Sequence, residues 1–310
     1  MIDMIKLNKN ADHTSGCVVA VGGFDGVHLG HRAMLSALVR EARSRGVPSA
    51  VFSFSLSDRP KSNTALLAQE EEKQRLLATL GVDIVYVAPF SQIKDMQAED
   101  FVLEVLYKRF NALAVVCGYD FRFGSERKGD CALIKRLLSE KGVSVVTPEP
   151  VTEGNAPISS TLIRGLIEQG SIERANTLLG RSFSFTAEVV SGRKLGRTLG
   201  FPTANQLYPK SLAVAKKGVY AVVCTLNGKR YGGVANIGTK PTVTDDESLL
   251  CESYLFGYEG ACYGCEMKTE LLSFIRAEKR FSSLDELKAQ VESDKETAKK
   301  LLKEYGYNEI

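Results

Sequence analysis

Two of the chain's three histidines, His28 and His31, follow a glycine-rich turn that comes directly after the apolar stretch Val18–Val21. Glycines let a backbone approach an anion closely, and a helix N-terminus presents free N–H groups to it. Histidines three residues apart at a helix start lie on one side of the helix, where imidazoles can stabilise a phosphoryl group under attack. We therefore predict that the segment Gly22–His31 carries out phosphate chemistry.

Hydroxyl groups and an arginine occur together in the segment Ile158–Arg164. Ser160 and Thr161 stand at the start of a predicted helix, and Arg164 lies one turn further on. Hydroxyls and backbone N–H groups can hold phosphates while a guanidinium neutralises developing charge. Taken alone, the segment also fits a serine N-cap followed by a surface arginine. Together with the histidines, it favours phosphate binding.

The loop Gly118–Gly124 directly follows a predicted strand and combines aromatic rings with an acidic side chain. Such a loop could fold Asp120, Phe121 and Phe123 over a ring-shaped ligand. By itself it could equally be a packed loop. Its place after a strand brings it to the edge of a sheet where ligands bind in α/β proteins.

A third motif, Gly192–Asn205, combines glycines, basic residues and a final Pro-Thr-Ala-Asn. Thr203 and Asn205 offer oxygen ligands suited to Mg²⁺ with phosphates and water. The motif is not a Walker loop, because its glycine spacing is short and Arg197 occupies the place of the lysine. Neither a sustained basic run nor an aromatic platform accompanies it, so phosphate transfer is favoured over nucleic-acid binding.

Alternating strands and helices must position the first of these motifs. From Cys17 to about Thr147 the pattern predicts a parallel sheet with helices on both faces. In such sheets the ligand binds beyond the carboxyl ends of the strands, where three of the predicted loops emerge. The predicted strands are Val18–Val21, Val51–Phe54, Ile84–Val87, Leu113–Cys117 and Val143–Val146, and the predicted helices are His31–Arg45, Glu70–Leu80, Glu99–Phe110 and Cys131–Lys141.

The periodicity changes near Gly180, after two short predicted helices at Ser159–Gln169 and Ile172–Leu179. We therefore expect domains of residues 1–180 and 181–310. Short strands broken by turns then predict a β-barrel or sandwich. The end of the chain, Ser283–Tyr305, is predicted as a helix with a packing stripe made of Leu284, Leu287, Val291, Ala298 and Leu301.

Length and composition fit this organisation. A chain of 310 residues favours two domains, and a net charge of +3 does not demand a nucleic-acid or membrane partner. No apolar run approaches the ~18 residues of a membrane span, and Met1–Asn10 lacks a signal-peptide core, so we expect a cytoplasmic protein. The 7 cysteines fit reduced thiols, and the C-x-x-C at Cys262 and Cys265 is interpreted as thiols in or beside a strand, not as a metal or redox site.

Several motifs resemble a known family. His28-Leu29-Gly30-His31 matches the H-x-G-H signature of nucleotidylyltransferases, and the region from Val18 to Leu179 resembles the adenylyltransferase half of prokaryotic-type bifunctional riboflavin kinase/FAD synthetases. The kinase half of that family is similar to four later segments, Gly192–Asn205, Gly233–Thr242, Glu252–Phe256 and Ile275–Phe281.

The resemblance implies both a fold and an activity. The fold is an α/β domain with a Rossmann-like parallel sheet, followed by a β-barrel domain with a C-terminal helix. The activity is phosphorylation of riboflavin to FMN with ATP and Mg²⁺, then adenylylation of FMN to FAD with release of pyrophosphate. The implied partners are these small-molecule substrates, with no nucleic acid and no membrane.

The resemblance also implies roles for single residues. His28, His31 and Arg164 would act in adenylyl transfer, and Glu252 would be the general base that takes the proton of the ribityl 5′-hydroxyl. Thr203 and Asn205 would bind Mg²⁺. The implied contacts are Gly22, Phe24, Asp25, Gly30, Ser160, Thr161, Lys194 and Gly196 for nucleotides, and Asp120, Phe121, Phe123, Asn236 and Arg276 for flavins.

Two segments depart from the family pattern. Family members carry an aspartate, a proline and a histidine where this chain has Ser55–Pro60, and the kinase pattern E-x-H-L-x-D-F reads here as Glu252–Tyr258, without its histidine and aspartate. Two alternatives therefore stay open: an enzyme that retains only the kinase activity, and a flavin-sensing or RNA-binding regulator built on the same folds. Turnover with ATP distinguishes enzyme from regulator, and RNA binding with a steep salt dependence would favour the latter.

Overall fold

The computed structural model describes residues 5–6, 16–55, 65–191, 201–239 and 249–308. Its contacts divide the chain into two compact units, Met1–Thr64 with Gln69–Ser160, and Ala65–Ala68 with Thr161–Ile310. The expected domains, 1–180 and 181–310, differ from this division mainly by the two linking helices, which pack with the second unit. Among the described residues, no helix is both long and apolar enough to span a membrane.

The first unit is built on a six-stranded sheet in the order β1-β4-β3-β2-β5-β6. Strands β2 to β6 are parallel, as predicted, and the two-residue β1 adds an antiparallel edge next to β4. The strands are β1 (Ile5–Lys6), β2 (Cys17–Val21), β3 (Ser49–Ser55), β4 (Ile84–Pro89), β5 (Ala112–Cys117) and β6 (Ser144–Val146). A short hairpin follows, of β7 (Thr152–Glu153) and β8 (Ala156–Pro157).

Helices cover both faces of this sheet. Because successive strand residues point to opposite faces, Val18 and Ala20 of β2 belong to one buried cluster and Cys17, Val19 and Val21 to another. The helices are α1 (Leu29–Arg45), α2 (Glu70–Thr79), α3 (Phe90–Ile93), α4 (Ala98–Asp100) and α5 (Cys131–Ser139).

The predicted helix Glu99–Phe110 is π-helical over most of its length. Where the sequence predicted Glu99–Phe110, α4 continues as π-helical turns over Phe101–Arg109, and the N–H of Phe110 donates to the carbonyl of Val105, five residues back, at 2.9 Å. The wider turns still bury Phe101, Val102, Val105 and Leu106 against the sheet. The predicted helix is therefore confirmed, and most of it has π-helical turns.

The second unit is a closed antiparallel barrel in the order β10-β13-β12-β11-β14-β9, which decides between the two predicted β architectures. Two helices precede it and one follows. The elements are α6 (Ser160–Gln169), α7 (Ile172–Leu179), β9 (Phe183–Val190), β10 (Ala204–Leu207), β11 (Gly218–Leu226), β12 (Lys229–Thr239), β13 (Leu249–Leu255), β14 (Glu266–Ala277) and α8 (Leu284–Glu304).

The packing stripe predicted for α8 is partly wrong. Leu284 is 59% exposed, because it lies in the first turn directly after the N-cap Ser283. The buried positions are Ala298, as predicted, together with Leu302 and Asp294. A buried aspartate needs a partner, and Asp294 has one in Arg276 of β14.

Four residues from the first half of the chain, Ala65–Ala68, belong to the second unit. Leu66 pairs in parallel with Leu212 through two backbone hydrogen bonds of 2.7 Å. The N–H of Leu66 donates to the Ser211 carbonyl, and the carbonyl of Leu66 accepts from the N–H of Ala213. The side chain of Leu67 is fully buried. The barrel unit is therefore not one continuous stretch of chain.

Candidate active sites

The turn after β2 has a strained backbone. Phe24, Gly26 and Val27 all have left-handed φ values, of 49°, 75° and 43°. This region costs little for glycine, but it is unusual for phenylalanine and rarer still for a β-branched valine. Both side chains are buried in the sheet-face cluster, with 1% and 0% exposure, and this packing holds the turn in place. Strain maintained in this way is typical of functional sites.

The turn delivers His28 as the N-cap of α1, and the two histidine rings stack. Nδ1 of His28 accepts the N–H of His31 at 3.4 Å, and the ring centroids are 3.7 Å apart at 21°. The edge of the Phe24 ring adds a third aromatic contact to His31 at 5.5 Å. The structure thus brings together the two histidines that the spacing predicted to act on one side of the helix.

His31 is held neutral. Burial lowers its pKa well below its ordinary value, and the neighbouring His28 lowers it further. Its Nδ1 is buried and has no hydrogen-bond partner in the described parts of the chain. Since buried polar atoms in native proteins almost always have a partner, this nitrogen fits an oxygen atom of a bound ligand.

Gly30 lets two groups approach the helix start. A Cβ at this position would lie 3.2 Å from the His28 ring and 3.3 Å from the carbonyl of Ile158. On the same side, the hydroxyl of Ser160 donates to the carbonyl of Asp25 at 3.1 Å. The segment around Ser160 therefore lies against the histidine turn, as predicted from the two motifs.

Thr161 and Arg164 belong by their contacts to the second unit. The guanidinium of Arg164 donates to the Ala65 carbonyl at 3.5 Å and to the Thr161 hydroxyl at 3.4 Å. Their roles in adenylyl transfer stay predictions. Gly22, in contrast, lies in the turn itself, where its N–H donates to the Phe52 carbonyl at 3.1 Å.

A buried lysine behind the turn escaped the sequence analysis. Lys73 of α2 is 4% exposed, and its Nζ lies 3.0 Å from a carboxylate oxygen of Glu70 and 3.4 Å from the Ser53 hydroxyl. That hydroxyl donates to the Gly23 carbonyl at 3.3 Å. The available signal was the position of Lys73 three and four residues before the buried Leu76 and Leu77, on the apolar face of the helix.

The loop after β5 contains one core residue. Phe123 is 8% exposed and packs on Phe101 at 5.1 Å, while Phe121 stacks on Phe123 at 5.3 Å and 19°. Asp120 is exposed. This loop holds three of the residues predicted to contact flavin. Phe123 supports the loop from the core side, and Asp120 and Phe121 are more accessible.

In the barrel, four of the predicted kinase residues lie in one cross-strand row together with Val219. Asn205 of β10 pairs with Glu252 of β13, Glu252 with Asn236 of β12, Asn236 with Val219 of β11, and Val219 with Arg276 of β14. Directly opposed residues in neighbouring strands present their side chains on the same face of a sheet. Residues far apart in sequence thus meet on one wall.

Four members of this row line a cavity of about 280 Å³, as does Asp294 of α8. Glu252 is exposed to solvent in the cavity, yet its surroundings are closed enough that burial raises the pKa of its carboxyl. Arg276 contacts Asp294 through two nitrogens, with Nε 2.9 Å and Nη2 2.7 Å from the carboxylate. The remaining lining is largely apolar and includes Val234, Tyr254, Phe281, Leu287 and Val291.

A second cavity of about 410 Å³ adjoins this wall at Thr203, which lines both cavities. Asn205 lines the second one. It is 4% exposed, and its Oδ1 has no hydrogen-bond partner among the described residues. A buried, unpaired amide oxygen in a cavity that Thr203 also lines fits a hard cation such as Mg²⁺. The described parts of the chain contain no cluster of three or more histidine, cysteine or acidic side chains that could hold a metal.

Some predicted site residues cannot be placed. Lys194, Gly196 and the altered segment after Ser55 lie outside the described residues.

Comparisons with known proteins also divide the chain into two regions. The family model described as FAD synthetase matches residues 10–162, and the one described as riboflavin kinase matches residues 179–302. The bifunctional riboflavin kinase/FMN adenylyltransferase of Escherichia coli (strain K12) is 40% identical over 290 residues, 92% of each chain. That of Bacillus subtilis (strain 168) is 36% identical over 91% of each chain.

The chain belongs to the family of bifunctional riboflavin kinase/FMN adenylyltransferases. The predicted enzyme with two activities is thereby confirmed, as are the predicted α/β and β-barrel folds. Among solved structures, a protein described as a macrolide-efflux protein from Streptococcus pneumoniae has a TM-score of 0.84 and 30% identity, covering 94% of this chain and 96% of that one. That description is of the other protein, and what the two chains share is the fold.

Within this bifunctional family, most of the candidate residues fall into one of the two matched regions, and Arg164 lies between them. The histidine turn and the Gly118–Gly124 loop lie in the FAD synthetase region, and the cross-strand row lies in the riboflavin kinase region. Sequence reasoning missed Asp294, because its partner Arg276 lies on another element, and it missed Lys73, although Lys73 lies on the apolar face of α2.

Proposed function

We propose that the barrel wall is the riboflavin kinase site and that the histidine turn is the FMN adenylyltransferase site. The observation that carries the first assignment is the pairing of Glu252 with Asn205 in adjacent strands. This pair puts a carboxylate with a raised pKa beside a buried oxygen that has no partner. One group suits proton removal and the other suits a cation bound to phosphate.

In the barrel, riboflavin occupies the largely apolar cavity between the wall and α8, with its ribityl chain toward Glu252. Glu252 accepts the proton of the 5′-hydroxyl, whose oxygen attacks the γ-phosphorus of ATP as ADP leaves in line. The phosphates of ATP lie toward Thr203 and Asn205, on the side of the second cavity. Thr203 thus stands where the two substrates meet, since it lines both cavities.

Mg²⁺ would be held by the hydroxyl of Thr203 and the Oδ1 of Asn205. When bound, it neutralises charge on the phosphates of ATP. Asn205 is suited to this role because its amide nitrogen is already committed to the Thr203 carbonyl at 3.4 Å, which leaves the oxygen available. Lys194 and Gly196 complete the proposed nucleotide contacts.

At the histidine turn, a phosphate oxygen of FMN attacks the α-phosphorus of ATP, and pyrophosphate leaves. The N–H groups at the start of α1 that precede His31, Nε2 of His28 and Nδ1 of His31 hydrogen-bond to phosphate oxygens as charge develops. Because His31 is neutral, it acts as a hydrogen-bonding group positioned in advance and not as a resident cation. Asp120 and Phe121 would contact the flavin, with Phe123 behind them.

The test is a time course of the purified protein with riboflavin, ATP and Mg²⁺, with flavins separated by chromatography. The wild type should form FMN and then FAD. The double variant His28→Ala/His31→Ala should form FMN at the normal rate and no FAD, because only the adenylylation site is changed. Equal loss of both products in that variant would refute the assignment of two sites, and a wild type that makes only FMN would mean that the altered Ser55–Pro60 segment matters.

A further inference from the structure

Two cysteines of the first unit lie in direct contact. Cys117 is the last residue of β5 and Cys131 the first of α5, and their sulfur atoms are 2.8 Å apart. Cys117 is fully buried, whereas Cys131 is partly exposed. Three other cysteines, Cys17, Cys224 and Cys251, contact an oxygen atom of Phe110, Thr269 and Ser253, respectively. Nothing in the mechanism proposed above uses the Cys117 and Cys131 thiols.

The two sulfurs close the base of the loop that contains Asp120 and Phe121. The loop is already tied across its middle, where Phe123 and Gly129 exchange backbone hydrogen bonds of 3.1 and 2.9 Å. At its base, the Gly118 carbonyl accepts both the N–H of Phe121 at 3.0 Å and the thiol of Cys131 at 2.8 Å. The state of the Cys131 thiol is therefore linked to the turn that carries Asp120.

We propose that Cys117 and Cys131 form an oxidisable pair that closes into a disulfide across the base of this loop. A disulfide needs a sulfur separation of about 2.05 Å, so the two sulfurs must approach by less than about 1 Å. The pair lies at the end of a strand and the start of a helix, so the cross-link would join these two elements at the core cluster to which Cys117 belongs.

The reaction with glutathione disulfide is balanced as follows. The Cys131 thiolate attacks one sulfur of glutathione disulfide, a bond forms between them, and one glutathione leaves as its thiolate. Cys117 then attacks Cys131 in this mixed disulfide, the Cys117–Cys131 bond forms, and the second glutathione leaves. The two thiol protons end on the two glutathione molecules, so two protein thiols are oxidised and one glutathione disulfide is reduced to two thiols.

Cys131 is the sulfur that reacts first, because it is the accessible one. It also begins α5, where the helix N-terminus favours a negative charge, and a hydrogen bond from the Cys117 thiol lowers its pKa. The pKa of Cys117 is raised, first by the same hydrogen bond and then by burial. The inner thiol therefore keeps its proton until the outer one has formed the mixed disulfide.

The consequence for activity rests on the proposed function of this loop. Closing the disulfide removes the thiol hydrogen bond to the Gly118 carbonyl and so changes the turn beside Asp120. We expect a shift of the KM for FMN in adenylyl transfer of about twofold or more. Riboflavin phosphorylation, which uses the barrel, should not change and is therefore an internal control.

The experiment incubates the full chain in glutathione buffers of increasing oxidised fraction, quenches with acid and maps the alkylated peptides by mass spectrometry. We expect a linked peptide containing Cys117 and Cys131. In Cys117→Ser, Cys131 should stop at the glutathione adduct, and in Cys131→Ser neither product should form. The double variant Cys262→Ser/Cys265→Ser, which removes the C-x-x-C, is the matched control and should still form the link.

Two results separate this proposal from the proposed function. If both thiols remain alkylated at every ratio, or if wild-type Cys131 stops at the glutathione adduct, the pair is not oxidisable to a disulfide and the proposal fails. If the link forms but adenylyl transfer keeps its KM for FMN, the disulfide stands, and it is the assignment of flavin binding to the loop that fails.

Discussion

A general base is useful only while it is ionised, and for Glu252 this sets the sign of a pH effect. Burial raises its pKa, so the carboxyl gains a proton at a higher pH than an ordinary glutamate does. Riboflavin phosphorylation should therefore fall as the pH drops through this raised pKa and should be fully active above it.

The variant Glu252→Gln tests this role. We expect the rate of FMN formation to drop by about 10²–10⁴-fold, the typical contribution of a positioned base, and the acid limb of the pH profile to disappear. Initial rates of phosphorylation between pH 5 and 9 provide the measurement. A variant that keeps the same acid limb would show that another group titrates.

The proposed role of Asn205 in binding Mg²⁺ is tested by varying the Mg²⁺ concentration, because a weaker site is masked when Mg²⁺ is saturating. In Asn205→Ala the Mg²⁺ concentration for half-maximal FMN formation should rise by about tenfold or more, since a contact to a charged group contributes about 1.5–3 kcal/mol. Asn236→Ala is the matched comparison, because Asn236 stands on the other side of Glu252 and lines only the first cavity. It should raise the KM for riboflavin and leave the Mg²⁺ requirement unchanged.

At the scale of elements, α8 is attached to the barrel through a charge that the sequence did not reveal. Asp294 is nearly inaccessible, with its side chain 5% exposed against 22% for Arg276, and Gln290 donates to the same carboxylate at 3.0 Å. Removing one partner of such a pair leaves the other charge without compensation.

We expect Asp294→Ala to lower the free energy of unfolding by about 3 kcal/mol, as measured by urea denaturation, and to raise the KM for riboflavin because Asp294 lines its cavity. Glu296→Ala, which breaks the exposed pair with Lys299 on the same helix, is the control and should have no measurable effect. Equal effects of the two variants would contradict a specific role for the buried pair.

The same scale shows how far the sequence could go. The parallel strands were predictable because each is a short apolar run between helical segments. The turn between β11 and β12 is marked in the sequence by an Asn-Gly dipeptide, and Asn227 and Gly228 have the left-handed φ values, 51° and 76°, typical of such a turn. Strand β10 was not predicted, because its Asn205 and Gln206 are polar. Gln206 is fully buried, and its amide donates to the Ala187 and Met267 carbonyls and accepts from Thr269.

The candidate sites divide in the same way. Residues close in sequence, such as His28 and His31, could be paired from their spacing. Asp294 could not, since its burial depends on Arg276, which only the folded chain places beside it. The contact between Cys117 and Cys131 is of this second kind, because their separation of 14 residues carries no signal in the sequence. Lys73 could be suspected only from its position on the apolar face of α2.

At the scale of the whole molecule, the second unit depends on residues of the first half. Leu67 is fully buried in the unit that contains the barrel. Leu67→Ala should therefore destabilise the kinase, by about 2–5 kcal/mol, although residue 67 lies inside the region matched by the FAD synthetase model.

The measurement follows both activities as a function of urea. The midpoint for FMN formation should fall in Leu67→Ala, while that for FAD formation from supplied FMN should stay near the wild-type value. Leu66→Ala is the matched control, because Leu66 is partly exposed and its bonds to the second unit are made by its backbone. If only the midpoint for FAD formation fell, the assignment of Leu67 to the second unit would be wrong.

This insertion of Ala65–Ala68 also limits how the chain can be recombined. A chimera that takes residues 161–310 from a relative would keep Ala65–Ala68 from this chain. Leu67 of this chain would then have to pack against the relative's side chains. Exchange of the kinase between relatives therefore needs three crossovers, after Thr64, after Ala68 and after Ser160, and not one.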